Sequence, residues 1–101
     1  MNLDLVLEFT ALGRRTDDEF EDCLERTVRM LGEIDRDDID VSAALAARLA
    51  TFTVFDVDVL RPGIGPFLAA VWSALRFAGC AGHEPLPDAR WVARERQLTL
   101  S

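Results

Sequence analysis

Along this chain the apolar residues change period, from every second position to every third or fourth and back again. Leu3, Leu5, Leu7 and Phe9 alternate with Asp4, Val6 and Glu8, which is the pattern of a strand with one buried face. Phe20, Cys23, Leu24, Thr27, Val28 and Leu31 then recur at helical spacing, with Glu21, Asp22, Glu25, Arg26 and Arg29 falling between them. Thr16 followed by Glu19 makes a capping box at the start of that helix, and Asp17 and Asp18 place negative charge where the helix dipole favours it. The helix is expected to end near Gly32.

From Ile39 to Val59 the chain has neither Pro nor Gly and is too long for one ordinary strand. It divides into a hairpin with its turn near Ala46 to Arg48, the first arm burying Ile39, Val41, Ala43 and Leu45, the second running from about Leu49 to Asp58. A continuous helix through Ser42 to Ala50 is the alternative, because Ala, Leu and Arg are strong helix formers and the turn lacks Gly or Asn. In the second arm Thr51, Thr53, Phe55 and Val57 share one face and Phe52 and Val54 the other, which suits a central strand.

Arg61, Pro62 and Gly63 lead into a second helix whose expected core stripe is Ile64, Phe67, Leu68, Val71, Leu75 and Ala78, with Gly79 as its end. Its opposite side, Ala69, Ala70, Ser73, Arg76 and Phe77, is small and weakly polar where a solvent-facing helix is normally charged. After a loop containing Cys80, Gly82, His83, Pro85 and Pro87, Trp91 to Leu100 alternates again and reads as the last strand.

Strand, helix, strand, strand, helix, strand is the order of a ferredoxin-like two-layer α+β sandwich, with a four-stranded antiparallel sheet and two helices on one face. A chain of 101 residues, half of them hydrophobic, has room for one such core and reads as a single domain over residues 1–101.

Charge and composition narrow the chemistry. A net charge of -7, with 18 acidic residues against 11 basic ones, all of them arginine, repels a nucleic-acid backbone. Arg90, Arg94 and Arg96, interleaved with Trp91, Glu95 and Gln97, read as a solvated strand face rather than a phosphate track. The opening MNLDLVLEF has acidic residues and no basic leader, and Ile64 to Ala78 is too short to span a bilayer, so no membrane association and a cytoplasmic location are expected. With only Cys23 and Cys80 present, both are expected as reduced thiols.

No cofactor or metal is expected. The acidic run Asp35 to Asp40 lacks the glycine and distant glutamate of a calcium loop, and Ile39 stands where a ligand belongs. Cys80 and His83 with Glu84 and Asp88 supply too few ligands for zinc without a second segment. His83 is the sole histidine and reads as an exposed loop residue, while Asp56 and Asp58 read as a solvated strand end, so no catalytic residue is assigned.

The expected function is that of a small non-catalytic interaction or regulatory module, a homodimer or larger homo-oligomer or the binder of another protein, through Ala69, Ala70, Ser73 and Phe77. In overall architecture it resembles the ACT-type regulatory domains and other ferredoxin-like dimers, from which no residues are carried over. The alternative is a small dimeric α+β-barrel-type enzyme or small-ligand-binding protein, with an apolar pocket on the sheet face lined by Val6, Phe52, Val54 and Trp91.

Overall fold

A computed structural model describes residues 2–55, 64–80 and 91–100. Strand β1 (Leu3–Ala11) is followed by helix α1 (Asp17–Glu33), the hairpin β2 (Ile39–Ala44) and β3 (Leu49–Val54), helix α2 (Ile64–Phe77) and strand β4 (Trp91–Leu100). The strands form one antiparallel sheet in the order β2-β3-β1-β4. Each helix therefore connects two strands that are separated in the sheet by a third, the arrangement of the ferredoxin-like sandwich expected from the sequence.

β1 is central because its alternation is complete: Leu3, Leu5, Leu7 and Phe9 are buried beneath the helices, opposite Ala50, Phe52 and Val54 of β3. Trp91 and Ala93 of β4 complete that layer, and Phe20 of α1 wedges between Phe9 and Trp91 at ring distances of 5.1 and 5.3 Å. Phe52 and Val54 lie on the face of β3 that the pattern gave them. Along β4 the strict alternation breaks at a register shift opposite Val6 and Leu7, beyond which Leu98 and Leu100 lie opposite Leu5 and Leu3.

α1 begins as its capping box directs. Thr16 is extended, and its hydroxyl accepts from the Glu19 N–H at 3.2 Å. The helix ends at Glu33, one residue beyond Gly32. Asp35 takes the left-handed conformation at φ 59°, the Asp35 N–H donates to the Gly32 carbonyl, and the Arg36 N–H donates to that of Leu31. These two bonds are those of a Schellman ending, made here without glycine in the left-handed position.

The hairpin is a hairpin and not a helix. Residues 45–48 form the turn, closed by the Arg48 N–H donating to the Leu45 carbonyl, with Arg48 left-handed at φ 55°. That conformation costs a non-glycine residue about 1–2 kcal/mol, and the Arg48 side chain is held in return. Its guanidinium stands 5.4 Å from the ring centroids of both Phe20 and Trp91, bridges to Asp17 at 2.7 Å and donates to the Arg15 carbonyl. The turn, the start of α1 and the start of β4 are thereby pinned at one corner of the molecule.

β2 buries only Ile39 fully. Val41 and Leu45 are half-covered, and Ala43 is exposed because β2 is an edge strand reaching past the cover of α1. β3 ends at Val54 with Phe55 turned out, and the expected extension through Asp58 lies outside the described residues, as do His83, Glu84, Asp88 and Arg90.

Candidate functional site

α2 holds the first candidate surface. Its buried side is Phe67, Ala70, Val71, Ala74 and Leu75, so the stripe is rotated from the expected one: Ala70 and Ala74 face inward while Ile64 and Leu68 are only half-buried. Of the expected interface residues, Ala69, Ser73 and Phe77 are exposed and share one outer face. Ala70 is corrected to the core, with 9% of its surface accessible. Phe77, at 73% exposure, is the most exposed of the large apolar side chains described.

The outer face of α2 carries one formal charge, Arg76, and no carboxylate. Its small residues lie mid-helix, its largest apolar side chain lies at the C-terminal end, and Gly65 and Pro66 are exposed at the N-terminal end. A side-chain carbon built at Gly65 would meet nothing, so the helix surface is open there, at the opposite end of α2 from the exposed Phe77. A cleft of about 400 Å³ between Phe77, Gly79 and the α1 residues Arg26, Arg29 and Met30 adjoins this end.

The disulfide is the feature that sequence reasoning missed. Cys23 of α1 and Cys80, just past the end of α2, are bonded to each other with Cα atoms 6.0 Å apart, and both are fully buried. The expectation of two reduced thiols is corrected, and with it goes the cysteine argument for a reducing compartment. Thr27, a fully buried polar side chain, donates its hydroxyl to the Cys23 carbonyl at 2.9 Å and lies 3.8 Å from the Cys80 sulfur. A signal was present: Cys23 sits on a helix stripe and Cys80 follows the neighbouring helix, so the topology alone brings them together.

The expected sheet-face pocket is not assembled. Phe52, Val54 and Trp91 point under the helices, whereas Val6 points from the opposite side of the sheet, level with Thr51 and Gln97. That open side is polar: Thr53 donates to Asp4 at 2.6 Å, Arg96 pairs with Glu8, and Gln97 donates to Thr99 at 2.7 Å. These four residues split between two faces because strand alternation sends neighbours to opposite sides, and the alternative reading of an apolar sheet-face site loses its lining.

Among the described residues no group of three or more His, Cys, Asp or Glu side chains is placed to hold a metal ion, and no helix is long and apolar enough to cross a membrane. The acidic run after α1 is tied instead by Arg36 bridging to Asp38 at 3.1 Å, with Ile39 entering the core. In comparisons with known proteins, no family model and no curated protein sequence matches the chain.

Proposed function

We propose that this protein is a non-catalytic interaction module that associates with a second copy of itself through the outer face of α2. The supporting observation is the combination of an exposed Phe77 with an acid-free helix face on a chain of net charge -7. Two copies approaching by most acidic surfaces oppose carboxylate to carboxylate, and this face presents no carboxylate.

The face also suits its own copy. In an isologous pair of antiparallel α2 helices, the Phe77 ring of each meets the open, side-chain-poor Gly65–Pro66 surface of the other, and Ala69 and Ser73 meet at the axis, where small side chains permit close approach. Antiparallel packing keeps the two Arg76 side chains at opposite ends. Each buried phenyl contributes about 1.5–3 kcal/mol, and symmetry counts it twice.

Sedimentation of the purified protein at tens of micromolar tests this. The wild type is expected as a dimer that strengthens as salt screens the net charge. Phe77→Glu and Ser73→Glu are expected to weaken it at least about tenfold, with the thermal melt of the dilute protein unchanged. A monomeric wild type, or a dimer indifferent to both substitutions, overturns the reading.

A further inference from the structure

The sheet has two edges, and they are defended differently. β4 presents Arg94, Glu95, Arg96 and Gln97, all exposed, and breaks register at a bulge, devices that keep a strand edge from recruiting another strand. β2 has only Asp40 near its start, followed by Val41, Ser42, Ala43 and Ala44, the last three exposed and uncharged. Along the helix side of that bare edge runs a groove of about 290 Å³. Leu24, Val28, Val41 and Ala43 line it, and Glu21 and Glu25 of α1 border it.

From this juxtaposition we infer that the β2 edge receives an extended, basic polypeptide segment as a fifth strand. The main chain of an edge strand supplies the hydrogen bonds, and alternate residues of the added strand fall into the groove. Val28, at 48% exposure, is the apolar contact that the isolated chain leaves open to solvent. The charge of the partner follows from the border. Glu21 and Glu25 are exposed and appear in no ion pair among those described for this groove, and the whole chain is acidic, so basic side chains flanking an apolar core are favoured. A second copy is disfavoured here, since pairing β2 with its own copy brings two sets of these glutamates toward one another.

The probe is a capped octapeptide with two lysines at each end of an alternating valine–threonine core, titrated into isotopically labelled protein. Amide shifts and slowed hydrogen exchange are expected to centre on Asp40 to Ala44. Val28→Lys is expected to weaken binding about tenfold and the Glu21→Gln, Glu25→Gln pair about fivefold, whereas Phe77→Glu leaves binding unchanged. Added salt weakens this complex and strengthens the proposed dimer, so the two surfaces fail or stand separately. The inference is overturned by no binding at millimolar peptide, by equal binding of the glutamate-for-lysine peptide, by shifts centred elsewhere, or by affinity indifferent to both groove variants. Concentration-dependent protection of β2 without peptide also overturns it, in favour of a second copy.

Discussion

α1 and α2 lie on the same side of one sheet, and each buries five side chains, yet they meet solvent in opposite ways. α1 turns out Glu21, Asp22, Glu25, Arg29 and Glu33, caps its first turn with Thr16, and pairs Arg15 with Glu19 and Arg26 with Asp22 along its length. Those pairs are individually worth only a few tenths of a kcal/mol, but they mark a face made for water. α2 turns out Gly65, Pro66, Ala69, Ser73, Arg76 and Phe77. The inward faces answer to the same core; only the outward faces are free to differ, so the difference between them is where function can be read.

The sharpest way to break that comparison uses two adjacent alanines. Ala70→Glu sets a carboxylate in the core against Phe67 and Val71 and is expected to destabilise the fold by about 3–5 kcal/mol, the penalty of an unpaired buried charge. Ala69→Glu, one residue earlier and exposed, is expected to leave the denaturation midpoint within about 0.5 kcal/mol of wild type while preventing dimerisation. If both variants melt alike, the inward and outward faces of α2 have been assigned wrongly.

Next in size is the covalent tie between the two helices. Joining residues 57 positions apart in sequence, the Cys23–Cys80 bond is expected to contribute about 4 kcal/mol by restricting the unfolded chain. Replacing both cysteines by alanine should lower stability by most of that amount in urea, and the wild-type protein should show no free thiol even in denaturant until a reductant is added. A reactive thiol in the folded state, or unaltered stability of the double variant, contradicts the bond.

How much of this was legible beforehand differs by region for physical reasons. β1 and α1 carry strong contrasts between neighbours, leucine beside aspartate or glutamate, so period and phase are both plain. α2 carries weak ones. Ala69 and Ala70 are the same residue on opposite faces, and nothing in their chemistry says which is inside; Phe67 and Val71 fix the helix, but a stripe can rotate by one position without changing the tally of apolar contacts. The β2–β3 turn carried no Gly or Asn, because Arg48 is held in its left-handed conformation by Asp17, Phe20 and Trp91, residues distant in sequence. The disulfide and the β2 groove are likewise products of the assembled topology. The sheet-face pocket failed at a simpler step, since Val6 on one side and Phe52, Val54 and Trp91 on the other cannot line one cavity.

The smallest expected effect tests whether the polar finish of α1 contributes independently of its packing. Thr16→Ala removes the acceptor for the Glu19 N–H and leaves every core contact in place, so a loss of about 1 kcal/mol is expected. Thr16→Asp restores an acceptor and adds a negative charge at the N-terminus, but Asp17 and Asp18 already crowd that end, so its gain over alanine should be smaller in low salt than in high. Chemical denaturation at two ionic strengths measures both. An alanine variant as stable as wild type means that α1 is held by Phe20, Leu24 and Leu31 alone; its capped end would then be incidental, and the contrast with α2 would reduce to surface charge.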